Sequence, residues 1–303
     1  MIAAAFAANL GIAIAKFVAF AFTGAASLLA EAIHSVADTG NQALLFLGGR
    51  RSRRAPTATH QFGYGRERYF WAFVVALVLF SVGSLFAIYE GIQKLIDPHE
   101  LDDPIWAFAV LGIAVVLESF SLRTAVIETG KVRHRRSWWR FIRTTKIPEL
   151  PVVLLEDVGA LIGLLFAATG VALATATDEP AWDAMGSIAI GLLLGAIAVV
   201  LAIEMKSLLI GEAASPEVQA QIRAAIEEGD DVEHLIHLRT EHLGPEDLLV
   251  AAKVDLGDQS SRDLARSIDA LERRVRARVP AARVIYVEPD EYRRGHPDRR
   301  DPA

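Results

Sequence analysis

Cysteine is absent from this 303-residue chain, and acidic and basic residues together make up 22% of it. Without thiols the protein forms no disulfide bond and no thiolate metal site, so a bound metal must use imidazole, carboxylate, amide or backbone ligands. The net charge of −6 is small and gives no reason to expect a nucleic-acid partner.

Hydrophobic residues, by contrast, make up 52% of the chain and concentrate before about residue 210. A helix needs about 20 mostly apolar residues to cross a bilayer. Six runs of that kind predict a polytopic α-helical membrane protein, with spans at 2–23, 27–49, 69–96, 104–128, 149–176 and 181–209. The first run lacks the basic start of a secretory signal, so it is interpreted as a membrane helix.

The segments between these runs alternate in charge. GRRSRRAPTATHQFGYGRER and KVRHRRSWWRFIRTTK, after spans two and four, are basic, whereas DPHELDDP and ATDEPAWD are acidic. The positive-inside rule therefore predicts that both basic segments and, with six spans, both termini are cytoplasmic. The Ala- and Arg-rich composition suggests a bacterium, and hence its plasma (inner) membrane.

Polar residues interrupt span two in the stretch EAIHSVADTGNQ. His34 and Asp38 are four residues apart and share one helix face, while span five carries the adjacent acids Glu156 and Asp157, about 100° apart. A carboxylate inside a bilayer is costly unless it is paired or faces water or a ligand. Imidazole with carboxylate suits a zinc-like divalent cation, although a hydrogen-bonded pair joining helices is the alternative.

The segments LLAEAIHSVADTGNQ, HQFGYGRERYFW, LLED and LIGEAASPE resemble signatures of the cation diffusion facilitator family of metal/proton antiporters, most closely its mitochondrial-type zinc branch. The resemblance implies two ligands from span two and two from span five. Three fall on His34, Asp38 and Asp157, but the fourth falls on Val153, which has no ligand atom. The site then has three residues or is completed by one of several groups: Glu156, Asn41, Glu31 or water.

From position 211 to 290 the sequence predicts a cytoplasmic α+β domain with the order αββαβ, followed by a disordered tail at 291–303. The resemblance implies a ferredoxin-like fold that forms a homodimer. His234, His237 and His242 are interpreted as solvent-exposed residues rather than metal ligands. Only His234 and His242 share strand parity, and they lie far apart along the strand.

Domain 1–210 is thus predicted to transport a divalent cation, with Zn²⁺ favoured over Mn²⁺, Fe²⁺ or Co²⁺, out of the cytoplasm in exchange for protons. Neither enzymatic activity nor a cofactor is expected. One alternative is a non-transporting metal sensor or scaffold of the same fold, which the missing ligand at Val153 favours. Another, an intramembrane metallohydrolase, lacks a motif such as HExxH.

Overall fold

The computed structural model describes residues 10–11, 14, 17–18, 21, 26–97, 104–133 and 136–293. The predicted first span and the predicted disordered tail lie largely outside these residues. The chain divides into two compact units, Met1–Arg51 with Glu67–Lys206 and Ser52–Arg66 with Ser207–Ala303.

Long helices make up the first unit. Helix α2 is continuous over Glu67–Ile96 but contains a π-helical turn at Val75–Phe80. The others are α1 (Ala26–Arg51), α3 (Pro104–Arg133), the short α4 (Trp138–Thr144), α5 (Glu149–Thr177) and α6 (Ala181–Ile210). Within the described part of the chain, α2, α5 and α6 are long and apolar enough to cross a membrane.

Small residues allow α2 and α6 to approach closely. Ser84 on α2 donates a hydrogen bond of 2.7 Å to the carbonyl oxygen of Gly191 on α6. A Cβ on Gly191 would lie 2.8 Å from the Ser84 carbonyl oxygen, and one on Gly91 would lie 2.8 Å from that of Ala184. Packing through small residues is typical of membrane helices, where close van der Waals contact replaces the hydrophobic effect.

Ion pairs join α2 to its neighbours at both of its ends. Arg68 donates two hydrogen bonds, of 2.6 and 2.7 Å, to the carboxylate of Glu149 at the start of α5. At the other end, Lys94 donates to Asp183 of α6 over 2.8 Å. Glu149 is only 4% exposed, so its bidentate pair with Arg68 is shielded from solvent.

The second unit contains α7 (Pro216–Glu227), β1 (His234–Gly244), β2 (Asp247–Asp255), α8 (Ser261–Arg278) and β3 (Val284–Pro289). The strands form one sheet in the order β1-β2-β3, with β1 antiparallel and β3 parallel to β2. Ser215 and Ser260 cap the two helices. Both helices pack on one sheet face, where the largest buried side chains are Ile222, Ile226, Leu248, Val250, Leu271 and Val275.

A bulge in β1 changes the positions expected for the tail histidines. The register shifts between Leu235 and His237, so His234 lies opposite Asp255 and His237 lies opposite Lys253. The extra residue places His234 and His237 on the same sheet face, and the predicted shared parity of His234 with His242 is wrong. The prediction of solvent exposure is also wrong for His242, which is 9% exposed and lies on the helix-covered face.

The segment Ser52–Arg66, which connects α1 to α2 in the chain, packs against the end of β1. A Cβ on Gly65 would lie 2.6 Å from the carbonyl oxygen of Leu243, so only glycine permits this approach. Arg66 forms an ion pair with Glu241 of β1. Nothing in the sequence pattern had predicted that this segment would group with the tail.

Candidate metal site

Helix α1 carries the polar stretch that the sequence singles out. His34 and Asp38 lie within it, but their side chains lie outside the described part of the structure. The next polar residues, Asn41 and Gln42, are described and are buried, with exposed fractions of 6% and 9%. Buried amides in an apolar helix require hydrogen-bond partners, which residues of the neighbouring helices can supply.

Asn41 connects α1 to α5. Its Nδ2 donates a hydrogen bond of 2.9 Å to Oε1 of Glu156. Because an ionised carboxylate only accepts hydrogen bonds, this contact assigns the amide nitrogen and directs Oδ1 elsewhere. Asn41 Oδ1 and Gln42 Oε1 are both buried and have no hydrogen-bond partner among the described residues. Two amide oxygens are thus available to accept a hydrogen bond or to contact a cation.

Asp157 is held from a different helix. Its Oδ1 accepts a hydrogen bond of 3.0 Å from the hydroxyl of Ser121 on α3, and the residue is only 6% exposed. The adjacent acids of α5 therefore face different neighbours, Glu156 towards α1 and Asp157 towards α3. This arrangement follows from the 100° turn between successive helical residues.

Sequence reasoning missed Ser121. A serine in VVLESFSLR carries no motif, and its contact with Asp157 depends on the packing of α3 against α5. Asn41 was considered only as one possible completing group. Its position seven residues after His34, on the same helix face, was the signal that could have ranked it higher.

Only part of the predicted ligand set lies among the described side chains, namely Glu156 and Asp157 of α5. Val153 lies one turn before Asp157 on α5 and offers no ligand atom. The side chains described contain no group of three or more His, Cys, Asp or Glu residues able to hold a metal ion. The side chains of His34 and Asp38 are not among those described, so the set of His34, Asp38, Asp157 and Glu156 stays a prediction.

Relatives of the chain are known transport and magnetosome proteins. It is 31% identical over 242 residues to the human proton-coupled zinc antiporter SLC30A9, mitochondrial, covering 79% of this chain and 43% of the human protein. It is 32% identical over 234 residues to metal tolerance protein C4 of Arabidopsis thaliana, covering 77% of this chain and 51% of the plant protein. The chain thus spans about half the length of these relatives.

A third relative matches over nearly its full length. The magnetosome protein MamB of Magnetospira sp. (strain QH-2) is 24% identical over 296 residues, covering 93% of this chain and 92% of that protein. The alignment therefore includes the tail as well as the helices.

The predicted location in a bacterial plasma membrane is wrong. The human relative is named as mitochondrial, and the plant protein is also eukaryotic, so the matches point to an organelle. An Ala- and Arg-rich composition does not distinguish one membrane from another, and the assignment of the termini to the cytoplasm is withdrawn with it.

The helical part of the chain matches a family model directly. Residues 2–210 match the model of the cation efflux transmembrane domain, which covers more than half of the chain. This match extends over every predicted span and both acids of α5. The chain therefore belongs to the cation efflux, or cation diffusion facilitator, family.

Proposed function

We propose that the chain transports a divalent metal cation, zinc in the first place, in exchange for protons across a mitochondrial or other organellar membrane. The observation that carries this proposal is the pair of acids in the apolar helix α5, Glu156 and Asp157, each hydrogen-bonded to a different helix. Family membership and the human relative, named as a proton-coupled zinc antiporter, support it.

The metal would bind between α1 and α5, with His34, Asp38, Asp157 and Glu156 as ligands. The contact between Asn41 and Glu156 supports this placement, because it fixes α5 beside the polar face of α1. Asp38 lies three residues before Asn41, about 4.5 Å along the helix axis. Asp38 is thus within about one helical turn of a contact that already joins the two helices.

Proton coupling follows from the chemistry of these ligands. Imidazole and carboxylate groups bind a metal only when deprotonated, so protons and metal compete for them. Histidine is the side chain whose ordinary pKa lies closest to neutral, which makes His34 the natural proton acceptor when the metal leaves. If the site opens alternately to the two sides of the membrane, this competition produces exchange of metal for protons. We propose that the domain that does this has six membrane spans.

The test is zinc uptake into liposomes that contain the purified protein and a trapped zinc-sensitive dye, under an imposed pH gradient. We expect gradient-dependent uptake that Asp157→Asn abolishes and Glu156→Gln reduces. Glu90→Gln is the matched control, because this acid lies near the end of α2 and pairs with Lys94. Unchanged uptake in both α5 variants would refute the site.

One observation favours a second function, namely Val153 at the position where the family resemblance implies a fourth ligand. A chain that binds metal without moving it would act as a sensor or scaffold. Uptake that is absent for Zn²⁺, Mn²⁺, Fe²⁺ and Co²⁺, with zinc binding retained by the purified protein, would establish that alternative.

A homodimer completes the proposal, with the helix-free face of the tail sheet as the contact surface. Leu249, Ala251, Val284 and Tyr286 share this face by register, opposite the helix-covered core. Tyr286 is 57% exposed, which is high for a large aromatic side chain. Aromatic residues are enriched in protein interfaces because they bury much apolar area while keeping a polar group.

A further inference from the structure

The segment between α3 and α5 is rich in basic and aromatic residues that have no role in the proposed transport. Between positions 131 and 146 it contains seven Lys and Arg residues, no Asp or Glu, and the adjacent pair Trp138-Trp139. Helix α3 ends at Arg133 and α5 begins at Glu149, so this segment lies between the end of a long helix and the start of the apolar helix α5. Tryptophan and basic residues concentrate at this level of a membrane protein.

Helix α4, within this segment, has two unlike sides. Its N-cap is Ser137, whose hydroxyl accepts a hydrogen bond from the backbone N–H of Arg140. Phe141 and Ile142 are buried, with exposed fractions of 2% and 6%, and hold the helix on the rest of the first unit. Trp139, in contrast, is 56% exposed and Arg140 is exposed beside it.

Four of the seven cations of the segment differ in whether they form ion pairs. Arg143 pairs with Glu204 of α6 over 3.1 Å, and Lys131 pairs with Glu128 of its own helix. Arg136 and Arg140 form no ion pair with any described residue. The charges of Arg136 and Arg140 are therefore available to an external anion, whereas those of the paired cations are already balanced.

We propose that Arg136, Trp139 and Arg140 form a headgroup surface that binds anionic phospholipids. A guanidinium group presents paired N–H donors that match phosphate oxygens, and it is more weakly hydrated than an ammonium group. An exposed indole beside it suits the boundary between headgroups and acyl chains. The occupant is lipid rather than nucleic acid because the surface lies between the end of α3 and the start of the apolar helix α5 and includes an exposed tryptophan.

Packing of the neighbouring side chains supports a preformed surface. The guanidinium of Arg133 lies 4.2 Å from the ring centroid of Trp138, a cation–π distance. This contact fixes the first tryptophan, and the buried Phe141 and Ile142 fix the helix, so Trp139 and Arg140 are held outward. A lipid headgroup would then bind without ordering the segment first.

The experiment measures lipid preference with the full chain in phosphatidylcholine vesicles, using energy transfer from tryptophan to pyrene-labelled phosphatidylglycerol or pyrene-labelled phosphatidylcholine. We expect the wild-type protein to prefer the anionic probe. The double variant Arg136→Gln/Arg140→Gln should reduce this preference about fivefold for each cation removed. No metal is present, so the result is independent of the transport proposal.

The matched control is Lys131→Gln/Arg143→Gln, which removes the same charge from cations that are already paired. We expect it to keep the wild-type preference, and elution of each variant as a single species in gel filtration checks folding. An equal loss in both double variants, or no preference in the wild type, would overturn the proposal. RNA retained by the wild type and lost from the Arg136→Gln/Arg140→Gln variant, without a lipid preference, would assign the surface to nucleic acid.

Discussion

A single hydroxyl on α3 determines how one acid of the proposed site is presented. Ser121 donates to Asp157, and a hydrogen bond to a charged group contributes about 1.5–3 kcal/mol. Ser121→Ala should therefore weaken zinc uptake, raising the apparent KM about tenfold. The measurement is initial uptake rate against zinc concentration in the liposome assay.

Two further variants separate positioning from general packing. Ser121→Thr keeps the hydroxyl and should restore uptake, whereas Thr124→Ala removes a hydroxyl that donates to the Phe120 carbonyl of its own helix. The visible absorption spectrum of bound Co²⁺ should change in Ser121→Ala alone. A wild-type spectrum and KM in that variant would show that Ser121 has no part in the site.

Between elements, Arg68 and Glu149 form a bidentate ion pair that is shielded from solvent. The Glu149 side chain is 5% exposed and that of Arg68 is 21% exposed, so removal of one partner leaves a largely buried charge. Glu149→Ala should destabilise the protein by about 3–5 kcal/mol. The loss of stability is measured by heating the detergent-solubilised protein and recording by gel filtration how much folded protein remains at each temperature.

A second pair provides the comparison for that result. Arg143 pairs with Glu204, but its side chain is 57% exposed. Glu204→Ala should cost less than about 1 kcal/mol, because the charge that it leaves behind, on Arg143, is exposed to solvent. Similar losses of stability in Glu149→Ala and Glu204→Ala would contradict the importance assigned to burial of the remaining charge.

Because α2 and α6 pack closely, a larger side chain at their contact should destabilise the protein. Gly191→Ala would place a methyl group 2.8 Å from the Ser84 carbonyl oxygen, so the helices must separate. We expect a loss of about 1–3 kcal/mol in stability, seen as a lower unfolding temperature. Gly112→Ala in α3 is the control, because no atom lies within 4 Å of the added Cβ. Equal behaviour of the two variants would refute the close contact.

The bounds of individual elements could be predicted, whereas the contacts between them could not. The predicted run at 149–176 corresponds to Glu149–Thr177 and that at 181–209 to Ala181–Ile210, because long apolar stretches determine helix length. Periodicity also separated Glu156 from Asp157 by direction. It contains no information on which helix each acid meets, so Ser121 remained unnoticed.

The same limit explains the errors in the tail. The predicted alternation of faces along β1 fails because a single extra residue shifts the register between Leu235 and His237. A bulge changes the face of every residue on one side of it and leaves no composition signal. The packing of Gly65 on Leu243 could not be predicted either, because a glycine in a loop usually indicates a turn rather than a close contact between backbones.

In the whole molecule, metal transport and phospholipid binding are proposed for different surfaces. The proposed exchange of zinc for protons depends on α1 and α5, whereas the proposed headgroup surface lies on α4 and the segment before it. Lipid composition could therefore be varied in the transport assay without altering any ligand. The proposed homodimer would use a third surface, the helix-free face of the tail sheet, which contains none of the predicted metal ligands.

Tyr286→Asp tests the dimer. This substitution introduces a charge on the helix-free face, on the edge strand β3 beside Ala251, its partner on β2 in the register. Charged residues are depleted from the cores of interfaces, so the variant should lower the dissociation temperature or yield monomer. Light scattering of the full chain in detergent measures the mass. Ala277→Asp introduces the same charge on the exposed side of α8 and should stay dimeric. A dimer that persists in Tyr286→Asp at nanomolar concentration would place the contact elsewhere in the chain.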